Sequence, residues 1–227
     1  MPAKNSVKQY VENGYYHLYN RGVDKRTIFV DQEDYNVFVS YLRQYLTPKN
    51  EAELRDRLSA PSITSKERDK ILKILRLNNF YKKLMLLAYC LMPNHFHFFV
   101  KQNISGAIDA FIQSLCTRYT MYFNKKYKRI GPLYQGVYKA VLVETEPQYL
   151  HLSRYIHKQA LAFQGDTLES QPSSYKMYSG QTNTEWIYPD EILAYFSKTS
   201  PKLSYPAFVE KANDFSVIQN ALIDECI

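Results

Sequence analysis

Four side chains define the chemistry open to this chain. His95 and His97 stand two residues apart in Pro93-Asn94-His95-Phe96-His97-Phe98-Phe99-Val100. Side chains alternate across a strand, so both imidazoles share one face while Phe96 and Phe98 take the other. No charged residue occurs from Leu84 to Val100, and paired imidazoles presented from an apolar strand suit a divalent metal. Tyr155 and Gln159 are four residues apart in a helix-patterned segment, hence one turn apart on one helix face. Two imidazoles and one amide carbonyl make a three-ligand site with positions open to a phosphate oxygen, and the tyrosine would stand beside the metal.

The elements that must carry these residues are legible from periodicity. Tyr15 to Asn20 has strand composition and ends at Arg21-Gly22. Asp31 caps a helix whose apolar residues Val37, Phe38, Tyr41, Leu42 and Tyr45 fall on one face. Charge dominates from about 47 to 83, with Pro48 and Pro61 as breaks and a helix from Ser65 to about Asn78; this reads as an insertion. It is either a solvated helical hairpin that decorates the fold or a second nucleic-acid contact. Leu84–Met92 and His95–Lys101 are two strands joined by Pro93-Asn94, expected to be adjacent and antiparallel. Ile104, Ile108, Phe111, Ile112, Leu115, Tyr119 and Tyr122 mark a long amphipathic helix, followed by Gly131-Pro132 and a strand from Tyr138 to Val143. A further helix begins at Thr145, where Thr145 and Gln148 form a capping-box pattern around Pro147. The succession predicts an α+β fold of ferredoxin-like type, an antiparallel sheet with helices on one face. A core domain of residues 1–165 is then followed by an extension, 166–227, with short helices expected near Pro189–Phe196 and Pro206–Ile223.

Composition narrows the partner. The chain has 227 residues, 29 Lys and Arg against 22 Asp and Glu, and a net charge of +7, which favours an anionic partner, nucleic acid first. Arg118, Lys125, Lys126, Lys128, Arg129 and Lys139 lie in one stretch without an acid, interleaved with Tyr119, Tyr122, Tyr127, Tyr134 and Tyr138. Phosphate neutralisation plus stacking platforms is what single-stranded DNA requires. Packing of Tyr119 and Tyr122, with the lysines merely solvating a helix end, is the competing reading. Cys90, Cys116 and Cys226 are odd in number and lack CxxC spacing, which argues against a disulfide framework or zinc knuckle and for a reducing cytoplasm. Neither a secretory h-region nor a membrane-spanning apolar run is apparent.

Ordered matches across the core resemble the HUH single-tyrosine transposases, in particular the REP-associated branch related to the insertion-sequence 200/605 type. They are Tyr16-His17 with Asn20-Arg21-Gly22, Ala88 through His97, Arg118-Tyr119 with Tyr122-Phe123-Asn124, Gln135-Gly136, and Ser153-Arg154-Tyr155-Ile156-His157. The resemblance covers about Tyr15 to Ala162 without the insertion. It implies that His95 and His97 bind Mg²⁺ or Mn²⁺, that Tyr155 is the nucleophile, and that Gln159 is the third ligand; relatives in the REP-associated branch often read Asn-Pro where this chain has Gln159-Ala160. The implied reaction is cleavage of single-stranded DNA, with hairpins, through a 5′-phosphotyrosine and a free 3′-OH. Arg21 joins the basic residues as a DNA contact, and Glu144 and His151 are candidate outer partners of the ligands or nucleophile. His17 and His157 read as structural. The resemblance admits a monomer or a homodimer with exchanged tyrosines. A catalytically silent nucleic-acid-binding module on the same fold, and a structural zinc protein, are the alternatives.

Overall fold

Alternation along the strands decides the layers. The computed structural model describes residues 10–162, 171–211 and 218. The elements in chain order are β1 (Gly14–Arg21), α1 (Gln32–Leu46), α2 (Glu51–Leu58), α3 (Ser65–Arg76), β2 (Leu84–Met92), β3 (His95–Gln102), α4 (Ala107–Lys126), β4 (Lys139–Val143) and α5 (Glu146–Ala162). Short helices α6 (Tyr175–Tyr178), α7 (Asp190–Leu193) and α8 (Tyr205–Glu210) follow. The four strands form one sheet in the order β2-β3-β1-β4, with every neighbouring pair antiparallel.

Phe96, Phe98, Leu18 and Tyr16 point to one face, where Phe38 and Leu42 of α1 and Phe111, Leu115 and Tyr119 of α4 bury them. The anticipated helical layer is therefore built by α1 and α4. The opposite face is not left to solvent: Leu152, Ile156 and Ala160 of α5 pack on Ala88, Cys90, Phe99 and Val143, together with Tyr178, Ile192, Tyr205 and Val209 from the extension. The single face of helices thus becomes two, because a strand pattern as apolar as LMLLAYCLM leaves both sides of β2 requiring cover. Full burial of Leu152 and Ile156 contributes about 1.5–3 kcal/mol each to holding α5 down.

Caps and turns follow the sequence. Asp31 and Asp34 form a capping box at α1. The Gln148 amide N–H donates to Thr145 Oγ1 at 3.4 Å, and the Thr145 N–H donates to Gln148 Oε1 at 3.3 Å. The insertion is a helical hairpin, α2 and α3, with a helix at 51–58 that the sequence pattern did not single out. Ile104 lies before α4 and is half exposed, since Gly106, at φ 75°, starts the helix later than the periodicity suggested.

The extension seals the free edge of β2. Leu91 donates its amide to the Pro172 carbonyl, Ser174 to Tyr89, and Tyr188 to Leu86, which occupies backbone groups an edge strand would otherwise expose. The helix expected near 189–196 is the single turn α7. That expected at 206–223 is α8 as far as Glu210; Lys211 and Ile218 are the only described residues beyond it. The 165/166 boundary also lies outside the described residues.

Candidate active site

The turn between β2 and β3 is clamped before any ligand is considered. Ile28 and Phe29 both donate amides to the Pro93 carbonyl, at 2.7 and 3.0 Å, and Gly22 donates to the Asn94 carbonyl at 2.8 Å. A Cβ on Gly22 would lie 2.2 Å from the Arg26 carbonyl oxygen, so only glycine lets β1 exit against this turn. Each residue of Pro93-Asn94-His95 therefore has a position imposed by its backbone.

On the α5 face of the sheet, Arg21 stands opposite His95, and Tyr19 stands between His97 on one side and Lys139 on the other. The rings of His95 and His97 lie 4.9 Å apart, edge to face. α5 crosses above them: the Tyr155 ring meets His97 at 5.6 Å, and Gln159 Oε1 approaches His95 Nε2 at 3.3 Å. All four side chains come from one chain, with the tyrosine facing its own histidines.

The protons in this cluster are set by its hydrogen bonds. His95 Nδ1 lies 2.6 Å from Asn94 Oδ1, the shorter of its two contacts with an acceptor, and when it donates there Nε2 keeps its lone pair. That lone pair faces the Gln159 carbonyl oxygen, also an acceptor. His97 Nδ1 lies 2.8 Å from His17 Nε2, and when it donates there its own Nε2 is left as a second lone pair. Nε2 of His97 is buried and has no hydrogen-bond partner among the described residues. Burial holds His95 below its usual pKa, outweighing the Gln159 contact, and the nearby Arg21 charge acts in the same direction. Burial, with His17 and His95 alongside, holds His97 well below its usual value. Neutral imidazoles with outward lone pairs are the ligand form of histidine.

This donor set fits a cation. With both Nδ1 atoms protonated the site presents three acceptors, and the 3.3 Å between two of them lies between the edges, about 3.0 and 3.4 Å, of an octahedron and a tetrahedron with ligand distances near 2.1 Å. Among the described residues no group of three or more His, Cys, Asp or Glu could hold a metal, so no carboxylate contributes formal charge here. His17, read as structural from the sequence, is the residue that reasoning missed. Its alternation with Tyr19 put it on the correct face, but its contact with His97 depends on the pairing of β1 with β3.

The other residues singled out by sequence divide. Arg21 and Lys139 flank the histidines; with Tyr19, Asn20, Gln135 and Val137 they and His95 line a small pocket of about 90 Å³. Arg21 Nε donates to Gln135 Oε1 at 2.6 Å. Arg118, Tyr122, Lys125, Lys126, Lys128 and Arg129 belong to α4 and the turn after it, across the sheet from the histidines. Lys126 is not open: its ammonium contacts Asp31, Glu33 and Asp34 within 2.9 Å, and Tyr122 donates to Asp34. The stretch is free of acids in sequence, yet the fold supplies three from the start of α1. Arg129 donates to Asn124 and Arg118 to Gln44. Glu144 is exposed beyond the start of α5, where its amide contacts Gln148, and His151 turns to Arg154 and the Phe208 ring. His157 is structural, as expected: its nitrogens meet Tyr205 Oη at 2.6 Å and Ser174 Oγ at 2.7 Å.

Comparison with known proteins gives one family match, to IS200-like transposases over residues 55–159. Among solved structures, a REP-associated tyrosine transposase bound to a REP hairpin aligns with 81% of this chain and 96% of its own, at 11% identity and a TM-score of 0.44. A candidate transposase from Deinococcus radiodurans R1 aligns with 68% of this chain and 97% of its own, at 17% identity and a TM-score of 0.37. No curated protein matches the chain.

Proposed function

We propose that this chain, which matches the IS200-like transposase family over residues 55–159, is a single-stranded DNA endonuclease and strand transferase whose nucleophile is Tyr155. The observation that carries the reading is that His95 Nε2 and Gln159 Oε1, 3.3 Å apart, and the buried Nε2 of His97 lie on one face of the sheet beside the Tyr155 ring. A divalent cation of the Mg²⁺ or Mn²⁺ type, held by these atoms, would polarise the scissile phosphate and favour the phenolate. A free tyrosine is only about 0.1% ionised at pH 7, so such assistance matters.

The chain's own residues supply the rest. Tyr155 Oη loses its proton and attacks phosphorus; the bond to the 3′-oxygen breaks, that oxygen takes up a proton, and the products are a 5′-phosphotyrosine and a free 3′-OH. Because the phosphoester bond is retained, attack by a 3′-OH reverses the step and joins strands. Arg21 and Lys139 border the pocket beside His95 and neutralise phosphates of the entering strand. His17 and Asn94 hold the two ligand imidazoles in the donor-ready tautomer. The Tyr155 ring meets His97 of the same chain at 5.6 Å, which supports a tyrosine acting in cis. The preference for hairpin-bearing, REP-like DNA rests on the resemblance of the sequence motifs.

Incubation of the protein with Mg²⁺ and single-stranded oligonucleotides carrying hairpins tests this directly. A covalent protein–DNA adduct is expected, with Tyr155→Phe abolishing it while binding stays within about twofold. Binding without any adduct would reduce the protein to a silent nucleic-acid-binding module, and an unchanged adduct in the variant would remove Tyr155 from the chemistry.

A further inference from the structure

The insertion and the α1/α4 layer enclose an open cleft of about 1300 Å³, on the sheet face opposite the histidines. One wall is α3, whose Lys66, Lys70, Lys73 and Arg76 all line the cleft; the facing wall includes Arg118 of α4. Spacings of four and three residues put the lysines along one helix face, and the row from Lys66 to Arg76 runs about 15 Å.

These cations outnumber the acids that share the cleft with them. Lys49 pairs with Glu51, Lys101 with Glu191, and Lys126 with three carboxylates. The four α3 cations are exposed and make no ion pair among the described residues. Neighbouring acids are already committed, Glu51 to Lys49 and Arg55, Glu53 to Asn50, and Glu67 to the Thr64 cap. Asp69 is the acid left on the α3 wall. Across the cleft the Arg118 guanidinium carbon lies 3.6 Å from the Tyr41 ring centre and one nitrogen donates to Gln44, while the buried Nη1 has no acceptor among the described residues.

The wall is also held rigidly. Lys49 donates to the carbonyls of Leu75 and Leu77, Asn79 to Thr47, and Phe80 to Tyr45, which fastens the end of α3 to the end of α1. Tyr41 is covered by Arg118 and Tyr45 is buried, so neither ring offers a base a stacking surface. A cationic row without open aromatics suits phosphates whose bases are already paired. Such a row spans about four phosphates of one duplex strand.

We propose that the α3 row and Arg118 form a second DNA site that grips the backbone of a paired segment, remote from the cleavage site. This rests on the DNA-cleaving reading above, but adds to it a contact that tunes affinity and not the chemical step. The test compares the wild type with Lys66→Ala/Lys70→Ala/Lys73→Ala, and with Lys176→Ala/Lys198→Ala/Lys202→Ala, which removes the same charge elsewhere. Binding is measured against salt for a single-stranded oligonucleotide and for one extended by a hairpin stem. The α3 variant is expected to bind the stem-bearing DNA at least about tenfold more weakly and to lower its log–log salt slope by about two to three. Adduct formation at saturating DNA should remain within about twofold, and the control variant should match the wild type. Equal losses in both variants would reduce the effect to net charge, and an unchanged slope in the α3 variant would overturn the site; an acidic protein partner would then be the better occupant. If the wild type binds neither DNA, the reading of function fails first. Circular dichroism confirms that the α3 variant is folded.

Discussion

His97 and His157 are both withdrawn from water, 2% and 0% exposed, and both are held neutral by burial. They differ in their nitrogens. His157 has both satisfied, by Tyr205 of α8 and by Ser174, which also contacts the Tyr89 backbone; it ties α5 to the extension and to the sealed edge of β2. His97 has one satisfied, by His17, and one with no hydrogen-bond partner among the described residues. A buried polar atom without a partner costs roughly 1–3 kcal/mol, and this one belongs to a ring that meets Tyr155 and His95. Burial and a depressed pKa do not separate a ligand from a structural histidine; the accounting of hydrogen bonds does.

That contrast can be broken most severely at His97. His97→Ala should lower adduct formation about a thousandfold or more, from the loss of several kcal/mol of charge stabilisation, with little change in the melting midpoint. A loss under tenfold would make His97 a packing residue. His157→Ala should do the reverse: urea unfolding would show a cost of about 2–4 kcal/mol, from the cavity and the two lost contacts, while the cleavage rate at 25 °C stays within about threefold. His17→Phe keeps a ring of similar size but removes the acceptor that orients His97, so cleavage should fall about 10–100-fold, with partial recovery in His17→Gln. If His17→Phe cleaves normally, the tautomer argument is wrong.

Acid sharpens the same comparison on the stability side. The His157 pKa is lowered to about 3 from 6.5 by burial, so the unfolded chain binds a proton between those values that the folded chain refuses. Its contribution is complete above pH 6.5 and is lost as pH falls toward 3. Melting midpoints in chelator should therefore decline below pH 6.5, with His95 and His97 contributing in the same direction. Each group adds up to about 1.4 kcal/mol per pH unit, and His157→Gln should flatten the profile. The smallest effect concerns metal uptake. With neutral donors only, Mn²⁺ should bind weakly to the protein alone and several-fold more tightly with a single-stranded oligonucleotide present, whose phosphate supplies the missing charge. Calorimetry showing equal affinity in both conditions would count against a phosphate in the coordination shell.

Much of this site was legible before any fold was known, because it depends on periods the backbone imposes. His95 and His97 share a face since strand side chains repeat every two residues, and Tyr155 and Gln159 share one since helices repeat every 3.6. The α1 and α5 caps were equally local, each a hydroxyl or carboxylate reaching three residues along. Less legible was the boundary of α4, where Gly106 overrode the apolar pattern begun at Ile104.

What the sequence by itself determined, then, is which side chains travel together on one element, a matter of covalent spacing. Only the tertiary structure decided what each one meets. β1 pairing with β3 brought His17 to His97, α5 packing on the sheet brought Gln159 to His95, and α1 docking beside α4 delivered Asp31, Glu33 and Asp34 to Lys126. The α3 lysines make no ion pair among the described residues. Such contacts join residues tens of positions apart, and their partners are chosen by burial of the apolar faces between them, which no local pattern of charge or polarity records.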